Sequence, residues 1–415
     1  MGQSFDDGRR SAESRSSSLI VRSALLLLRA DADLAVLDIT EWFGETSGGI
    51  RTYLLEKGNY VSTRPWLRHT MVVPGVTDSV TDGDGVRMYR LKGPPIPRQR
   101  PYRFMLAPRS VGRIIREERP SLVEVGSPFL VPWIVAHATR ALDVPLVSFY
   151  HTNLTQKLTP RGGSDGLVSR ALINGSSRYL RRLDRMFAVT IVASAYSAME
   201  LSRVGIDRVA HVPLGVDLEC FTPSRRAYAS DTRDRFGLPH GPLAAFVGRF
   251  AGEKELDVLL DGWAEVERRC GARLALVGAG PMEARLRAHP YGPRVTFVPF
   301  VQDREALADL LAALDVYVAA GPIETFGLSA IEAMASGTPV LTVSEGAVVE
   351  RVQESGAGLV YARRQPASLA EEAVKLFQQD LVSLGARGRA YAEAEHSWST
   401  VFDRLFAVYR SVLGR

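Results

Sequence analysis

Hydrophobic and polar positions along the chain change their periodicity at regular intervals. Short apolar runs, which are typical of buried strands in a parallel sheet, alternate with longer segments in which apolar residues recur every three or four positions. The apolar runs lie at residues 34–39, 121–125, 145–150, 191–193, 243–247, 274–277, 295–299 and 316–320. Helical periodicity is found between many of them, for example at residues 131–142, 256–263 and 305–313. This alternation predicts an α/β protein built on parallel sheets.

The length of 415 residues is enough for two domains with separate cores. We expect an N-terminal Rossmann-like domain at residues 34–205 and a C-terminal Rossmann-like domain at residues 206–396, with the linker around residues 205–240. Residues 1–33 are expected to form a disordered or amphipathic extension, because residues 1–18 are rich in Ser, Arg, Asp and Gly. The apolar run that follows is too short to span a bilayer, and a secretory signal is disfavoured because no clear small-residue cleavage site follows it.

Composition and charge exclude several classes of protein. The chain has two cysteines, Cys220 and Cys270, far apart and without the spacing of a zinc site, so neither a disulfide framework nor a cysteine-based metal site is indicated. A reducing cytoplasm is the expected location. A net charge of +5 without a known binding motif argues against nucleic acid as a partner. Two Asp-x-Asp pairs, at residues 31–33 and 82–84, are poorly placed for metal chemistry, and we expect no essential metal.

The richest local pattern runs from Gly321 to Val340. An apolar run ends at Gly321, a helical pattern starts near Phe326, and a second apolar run opens at Pro339. Two carboxylates, Glu324 and Glu332, lie in the loop and on the helix. The helix N-terminus offers the backbone N–H groups of Phe326, Gly327 and Leu328 to a phosphate or a sugar oxygen. Two glutamates at this spacing are also common on the solvated face of a helix.

The residues around these glutamates distinguish a ligand site from a solvated helix face. Glu324-Thr-Phe-Gly-Leu-Ser-Ala-Ile-Glu332-Ala-Met-Ala-Ser-Gly-Thr-Pro-Val resembles the signature of the retaining GT-B glycosyltransferases of family 4, which transfer a hexose from a nucleotide sugar. The resemblance implies two Rossmann-like domains facing a cleft, with a crossover helix at residues 397–415 that returns to the first domain. It also implies a retaining, metal-independent hexosyltransferase. No cofactor is implied, since the nucleotide sugar, of GDP-mannose or UDP-glucose type, is a co-substrate.

The resemblance also assigns roles to individual residues. Arg249 and Lys254, whose guanidinium and ammonium lie five positions apart after an apolar run, match the family's diphosphate clamp. Glu324 is expected to orient the sugar hydroxyls and Glu332 the ribose, while the backbone near Val301 meets the nucleobase. As bare chemistry, Arg249 and Lys254 are equally compatible with surface cations.

Three residues in the first half correspond to the same family pattern. Gly48 and Gly49, in a loop before a helix, are expected to face the donor phosphates and the acceptor. His151, followed by Thr152 and Asn153, comes at the carboxyl end of an apolar run, where ligands bind in open α/β sheets. We expect His151 to contact the transferred sugar from the opposite wall of the cleft, although a single histidine is more often structural.

Basic residues are distributed unevenly in the first half. Nine Arg or Lys residues and no Asp or Glu lie between Arg87 and Arg116, and Arg178, Arg181, Arg182 and Arg185 follow on a helical segment. Such clusters, interleaved with apolar residues, are suited to a lipid-linked or anionic acceptor and to peripheral contact with an anionic membrane. A solvated basic face without a partner, or a soluble sugar or small metabolite as acceptor, remains an alternative.

Two other functions compete with glycosyl transfer. An NAD-dependent oxidoreductase would bind NAD at Gly278 to Gly280, where residues 274–283 imitate a dinucleotide-binding fingerprint. However, Glu283 occupies the place of the third glycine and Pro281 interrupts the pattern. A non-catalytic binder of sugar nucleotides would show affinity without turnover. Glycosyl transfer is favoured because it alone accounts for Glu324, Glu332, Arg249 and Lys254 together.

Overall fold

The structure, a computed structural model, describes residues 34–44, 48–97, 101–151 and 167–414. The expected extension at residues 1–33 lies outside the described residues, as do Arg98, Arg100, Thr152, Asn153 and Arg415. Within the described segments the chain forms two α/β units, as the alternating pattern predicted.

The first unit is an eight-stranded sheet in the order β3-β4-β2-β1-β5-β6-β7-β8. All neighbouring strands are parallel except the β3–β4 pair. Its strands are β1 (Leu34–Ile39), β2 (Leu67–Gly75), β3 (Ser79–Gly83), β4 (Val86–Lys92), β5 (Leu122–Val125), β6 (Leu146–Tyr150), β7 (Val189–Val192) and β8 (Val209–His211). Its helices are α1 (Gly49–Ser62), α2 (Pro108–Glu118), α3 (Val131–Thr139), α4 (Leu167–Asp184) and α5 (Ala195–Ser202).

The second unit is a six-stranded parallel sheet in the order β11-β10-β9-β12-β13-β14. Its strands are β9 (Leu243–Val247), β10 (Arg273–Val277), β11 (Thr296–Val298), β12 (Val316–Ala319), β13 (Val340–Val343) and β14 (Gly358–Tyr361). The α-helices from residue 229 onward are α6 (Ala229–Phe236), α7 (Leu256–Cys270), α8 (Glu283–Arg287), α9 (Arg304–Ala312), α10 (Leu328–Ala335), α11 (Ala347–Ser355), α12 (Pro366–Phe377), α13 (Leu381–Glu395) and α14 (Trp398–Val412). The strand order is that of a doubly wound Rossmann sheet.

The predicted strands and helices correspond to described elements, with ends shifted by a few residues. The helix expected near Phe326 begins at Leu328, because Gly327 adopts a φ of +82° and lies outside the helical region. The antiparallel β3–β4 pair had no counterpart in the sequence pattern, because β3 is exposed along its whole length and carries no apolar periodicity. Strand β8 lies beyond residue 205, within the expected linker, and pairs with β7 in the first sheet.

The chain crosses between the two units at two adjacent points. Val216 donates its N–H to the carbonyl of His396 over 2.7 Å and forms a parallel bridge with Ser397. The ring of Trp398 lies so close to Gly215 that a Cβ there would approach it to 2.5 Å. Helix α14 then packs on α1 of the first unit, which confirms the crossover helix.

Candidate active site

The loops that carry the donor-site candidates leave neighbouring strands of the second sheet. Strand β9 pairs with β12, yet the chain runs from β9 to β10 on one side and from β12 to β13 on the other. Arg249 follows β9, and the loop of residues 320–327 follows β12. In open parallel sheets ligands bind outside the carboxyl ends of strands at this point of reversal. Strand order therefore brings Arg249 and Glu324 to the same crevice.

Lys254 and Glu324 form an ion pair across this crevice, between Nζ and Oε1. The Lys254 side chain retains 20% of its exposure and that of Glu324 retains 31%, so a ligand can reach both. A Cβ at Gly321 would come within 2.9 Å of Lys254 Cδ, so a larger residue there would displace the lysine side chain. Seventy residues apart in sequence, the two predicted site residues are thus in direct contact.

The backbone that presents Lys254 is strained and held by arginines. Glu255 adopts a φ of +48°, which is uncommon for a residue with a side chain. Its carboxylate accepts hydrogen bonds from Arg363 at 2.6 and 3.1 Å and from Arg364 at 3.0 and 3.1 Å. These arginines lower the pKa of Glu255, although burial opposes the effect. The charge-assisted bonds offset the strain of the turn.

Glu332 lies deeper in the same crevice, on α10. Only 3% of it is exposed, and its Oε1 is 3.4 Å from Nη1 of Arg304. Burial raises the pKa of Glu332 to about 7, and Arg304 opposes this rise. Nearby, the hydroxyls of Tyr317 and Ser329 are 2.7 Å apart. A buried carboxylate with a single distant cation is suited to accept hydrogen bonds from ligand hydroxyls.

His151 lies on the opposite side, after β6. Its ring stacks on Phe149 with centroids 4.2 Å apart, and the edge of Tyr53 meets it at 5.7 Å. Burial lowers the pKa of His151 to about 3, so the imidazole is neutral at pH 7. The hydroxyl of Thr325 donates to the carbonyl of His151 over 3.2 Å. This bond joins the loop of Glu324 to the wall of the first sheet.

A second group of bonds near the same loop also links the two units. Ser194 Oγ donates to the carbonyl of Thr325 over 2.8 Å. The carboxylate of Glu350 accepts the N–H groups of Ala195 at 3.0 Å and of Tyr196. Arg351 donates to the carbonyl of Ala193 over 3.2 Å. The start of α5 and the Glu324 loop are therefore held together by polar contacts.

The remaining predicted residues have no direct contact with Lys254 or Glu324 among the interactions of the described residues. Gly48 is the N-cap of α1, and a Cβ on Gly49 would lie 3.8 Å from Leu328, so this loop reaches the start of α10. Phe326 is buried beneath the guanidinium of Arg351, 4.0 Å from the ring centroid. Val301 follows β11 and is partly buried. No contact shows their part in ligand binding.

Gly278 and Gly280 have a packing role in this structure. A Cβ at Gly278 would lie 2.1 Å from the carbonyl oxygen of Gly248, and a Cβ at Gly280 would lie 2.3 Å from that of Phe250. Both glycines let the loop after β10 pass close to the loop after β9. The imitation of a dinucleotide fingerprint thus has a structural cause in this chain.

Sequence analysis missed a buried ionic cluster in the first unit. Lys57 Nζ donates to Asp38 at 2.9 and 3.0 Å and to the hydroxyl of Tyr409 at 2.7 Å, and it lies 3.5 Å from Glu124. Tyr53 donates to Glu124 over 2.9 Å. Lys57, Tyr53 and Tyr409 have no exposed surface. We call these five residues the buried ionic cluster; its only sequence signal is a charged residue inside each of two apolar strands.

The cluster contains two carboxylates that respond oppositely to their surroundings. Burial raises the pKa of both groups, but Lys57 and His69 hold the pKa of Asp38 below its usual value. The pKa of Glu124 rises to about 8, with burial as the largest cause. Asp38 is thus ionised and Glu124 largely protonated at pH 7. Among the described residues there is no group of three His, Cys, Asp or Glu side chains arranged to hold a metal ion.

None of the helices in the described segments combines the length and apolar character needed to cross a membrane.

Two family models match the chain. Residues 47–220 match the model described as Glycosyltransferase Family 4, and residues 241–379 match the model described as Glycosyl transferases group 1. Together they include both halves of the crevice described above.

Curated relatives agree with these models. A GDP-mannose-dependent alpha-(1-6)-phosphatidylinositol dimannoside mannosyltransferase of Mycobacterium tuberculosis (strain ATCC 25177 / H37Ra) is 31% identical over 331 residues, which covers 78% of this chain and 83% of the relative. A D-inositol 3-phosphate glycosyltransferase of Nocardia farcinica is 34% identical over 300 residues, covering 68% of this chain and 64% of the relative.

Solved structures share the fold at lower identity. A sucrose-phosphate synthase from Thermosynechococcus elongatus superposes with a TM-score of 0.76 at 21% identity, covering 92% of this chain and 99% of that one. WaaG, a glycosyltransferase involved in lipopolysaccharide biosynthesis, superposes with a TM-score of 0.65 at 17% identity over 89% and 98% of the two chains. The two parallel sheets and the crossover helix are those of the GT-B fold. The chain belongs to glycosyltransferase family 4 and is a hexosyltransferase that uses a nucleotide sugar.

Proposed function

We propose that this protein transfers mannose from GDP-mannose, with retention of the anomeric configuration, to a hydroxyl of a lipid-linked glycan. The relative from Mycobacterium tuberculosis described above is named as dependent on GDP-mannose and as acting on a phosphatidylinositol dimannoside. Further relatives at 30–31% identity are named GDP-mannose-dependent alpha-mannosyltransferases. The match to the Mycobacterium tuberculosis relative covers 83% of that protein.

The Lys254–Glu324 ion pair, whose glutamate lies in a loop where Thr325 is hydrogen-bonded to the backbone of His151, is the observation that carries the proposal. Lys254 and Arg249 are cations near the start of a helix, where the diphosphate of the donor would be bound. Glu324 accepts hydrogen bonds only, so it orients sugar hydroxyls once the donor phosphates compete for Lys254. His151, neutral at pH 7, offers one N–H group to the sugar and no positive charge.

In the proposed reaction, retention results from departure and attack on the same face of the sugar. The leaving diphosphate departs and the acceptor hydroxyl attacks on the same face of the sugar, while a diphosphate oxygen takes the acceptor's proton. Negative charge therefore grows on the diphosphate, where Arg249 and Lys254 stabilise it without an essential metal. In this reaction Glu324 orients the sugar hydroxyls once the donor phosphates bind Lys254, and no covalent nucleophile is needed.

Helix α4 supports a lipid-linked acceptor and peripheral contact with a membrane. Arg178, Arg182 and Arg185 are exposed on or beside it, and Leu172 and Ile173 expose 43% and 36% of their surface. Basic and apolar residues exposed together are suited to an anionic lipid surface. The earlier basic run is partly neutralised within the fold. Arg87 pairs with Glu118 at 2.9 Å and with Asp82.

A donor panel tests the reaction. The full chain is incubated with GDP-mannose, UDP-glucose and NAD, and melting temperature, hydrolysis and product configuration by NMR are recorded with and without a chelator. Binding to the native state raises the melting temperature by mass action. We expect a shift and slow hydrolysis with GDP-mannose that the chelator does not affect. A response to NAD alone, or an inverted product, would contradict the proposal.

The acceptor is tested in a separate arm, because two curated relatives are named D-inositol 3-phosphate glycosyltransferases. Phosphatidylinositol dimannoside in vesicles and free D-inositol 3-phosphate are offered with the donor that the first panel identifies. Transfer to the lipid supports the proposal. Transfer to the soluble inositol phosphate alone would assign the chain to the alternative with a small-metabolite acceptor.

A further inference from the structure

Two neighbouring side chains at the end of β1 bury polar atoms that have no partner. Glu41 is 2% exposed; its Oε1 accepts the hydroxyl of Ser127 at 2.8 Å, but its Oε2 has no hydrogen-bond partner among the residues that the structure describes. The indole Nε1 of Trp42 is also buried and has no hydrogen-bond partner within the described segments. Among the described carboxylates, Glu41 is the one with a buried oxygen left unpartnered.

Such atoms are costly unless something binds them. A buried carboxylate oxygen or indole N–H that loses water without gaining a partner destabilises the folded state. A ligand that supplies a hydroxyl can satisfy both, since a hydroxyl donates one hydrogen bond and accepts others. An acceptor-only oxygen beside a donor-only N–H is therefore complementary to a polyol.

These side chains lie where an open α/β sheet binds its ligands. Strand β1 pairs with β5, yet the chain leaves β1 towards β2 on one side and β5 towards β6 on the other. Glu41 follows β1 and Ser127 follows β5. Their hydrogen bond thus spans the point of reversal of the first sheet. Arg249 and Glu324 occupy the equivalent point of the second sheet.

Three aromatic rings surround this point. The ring of Trp42 meets the edges of Tyr102 at 5.1 Å and of Phe129 at 5.7 Å. Gly44 allows this approach, because a Cβ there would lie 2.5 Å from Cγ of Pro101, next to Tyr102. Phe129 retains 39% of its exposure. Sugar rings bind on such platforms through their apolar C–H faces, while polar groups at the edge take their hydroxyls.

The aromatic group around Trp42 also lies near the second unit, through Tyr102. Burial raises the pKa of Tyr102, and the positive charge of Arg249 acts against that rise. Arg249 is thus near enough to Tyr102 for their charges to interact across the cleft. A ring held on the aromatic platform would lie beside the diphosphate clamp, as an acceptor must.

We propose that Glu41, Trp42, Tyr102 and Phe129 form a subsite for a sugar or polyol ring of the acceptor. The inference rests on the proposed glycosyl transfer and names the class of acceptor that it uses. Glu41 Oε2 accepts a hydrogen bond from one ring hydroxyl, and Trp42 Nε1 donates to an adjacent hydroxyl oxygen. The subsite binds the ring whether its carrier is a lipid or the sugar is free.

Two substitutions test the polar groups of the subsite while keeping its aromatic rings. Glu41→Gln keeps the acceptor for Ser127 but replaces Oε2 by an amide that donates. Trp42→Phe keeps an aromatic ring and removes the indole N–H. Trp66→Phe is the matched control, because Trp66 is exposed by 49% on the surface of the first unit. Melting temperatures establish that each variant is folded.

Acceptor kinetics are measured with phosphatidylinositol dimannoside in vesicles and with methyl α-mannopyranoside, using GDP-mannose as donor. We expect Glu41→Gln to raise KM for both acceptors about 10- to 100-fold, and Trp42→Phe about 3- to 10-fold, since each leaves a hydroxyl unpaired. Donor Kd should change less than about twofold, and kcat less than KM. An effect on the lipid acceptor alone would show that the carrier, not the ring, is recognised and would overturn the inference.

Wild-type protein with deoxy analogues of methyl α-mannopyranoside gives a measurement that needs no variant. Removal of the hydroxyl that bonds Glu41 should raise KM to a similar extent, and other single deoxy positions should not. Unchanged KM across the deoxy series, or equal loss of donor and acceptor binding in Glu41→Gln, would overturn the subsite.

Failure of the subsite and failure of the proposed reaction give different results. Methyl α-mannopyranoside binding in the presence of GDP is measured by calorimetry, without turnover. Wild-type protein that transfers mannose while the variants keep wild-type KM would overturn the subsite alone. Wild-type protein that transfers no mannose, but binds the sugar more tightly than Glu41→Gln does, would overturn the proposed reaction and support the subsite.

Discussion

The two halves of the molecule use ion pairs in opposite ways. In the second unit, Lys254 and Glu324 meet at the surface of the crevice, with 20% and 31% of their side chains exposed. In the first unit, Lys57 and Asp38 meet with 0% and 3% exposed, and the carboxyl of Glu124 is beside them. A pair that remains in water can exchange partners when a ligand arrives. A pair that is buried and bound on all sides cannot, so its role is to hold the fold.

The buried ionic cluster also joins the ends of the chain. Tyr409 on α14 donates to Glu124 on β5 and accepts from Lys57 on α1. The aromatic rings of Tyr60, Phe402 and Phe406 pack around the same helix contact. The crossover helix is therefore anchored by charge as well as by apolar area. His151 lies above the cluster, through its contact with Tyr53.

The largest expected effect tests this difference directly. Lys57→Met removes the buried cation that donates to Asp38 and leaves that carboxylate without its ammonium partner, so we expect the free energy of unfolding to fall by about 3–5 kcal/mol. Lys254→Met is the matched control, because a partly solvated pair contributes about 0–1 kcal/mol. Urea unfolding of both variants measures the two values. Equal losses would break the distinction between a structural and a ligand-facing pair.

For catalytic activity, we expect the larger loss at the partly exposed pair of the second unit. Glu324→Gln keeps the shape of the side chain but weakens its acceptance of sugar hydroxyls, and we expect kcat to fall about 10²- to 10³-fold with an unchanged melting temperature. Glu265→Gln, on the exposed face of α7, is a control for the loss of a carboxylate in the same unit. A Glu324→Gln variant with wild-type turnover would remove Glu324 from the reaction.

A smaller effect is expected at the contact of the crossover helix. Tyr409→Phe removes the hydroxyl that bonds Lys57 and Glu124 while keeping the ring, and should cost about 1–3 kcal/mol because buried polar groups are left unsatisfied. Tyr391→Phe is a matched control, since its hydroxyl bonds Glu354 in an exposed position. Thermal unfolding compares them. A larger loss in Tyr391→Phe would contradict the anchoring role of the cluster.

The contrast between the halves also explains what could be predicted from the sequence. Glu324 and Glu332 lie in one strand–loop–helix segment, and Arg249 and Lys254 in another, so local patterns and a family resemblance identified them. Asp38 and Lys57 come from consecutive elements, but Glu124 and Tyr409 come from distant segments, and only the fold brings the four residues together. A single charge in an apolar strand does not indicate its partner. The same holds for Trp42 and Tyr102, whose contact depends on the loops after β1 and β4.

The smallest expected effect concerns Glu332. Its carboxyl is buried, like those of the buried ionic cluster, but it lies in the second unit, as the Lys254–Glu324 pair does. Burial raises the pKa of Glu332 from its ordinary value of 4.5 to about 7 in the folded protein. The protonated form is thus favoured in the native state, and stability is lost as pH rises through this interval. Glu332→Gln is always neutral. Its melting temperature should match that of wild type near pH 4.5 and exceed it by a few degrees at pH 8.

Bound nucleotide should favour wild type over Glu332→Gln at pH 8. The ribose hydroxyls donate hydrogen bonds to the ionised carboxylate, so binding lowers the pKa of Glu332. With GDP present, wild type should gain more stability than Glu332→Gln at pH 8, and the wild-type Kd for GDP should rise as pH falls below about 7. Calorimetric titrations of both proteins between pH 5.5 and 8.5 measure this change. A Kd with the same pH profile in the two proteins would mean that Glu332 does not bind the nucleotide. Its raised pKa would then be a cost of burial alone, and the proposed donor-binding set of the second unit would be reduced to Arg249, Lys254 and Glu324.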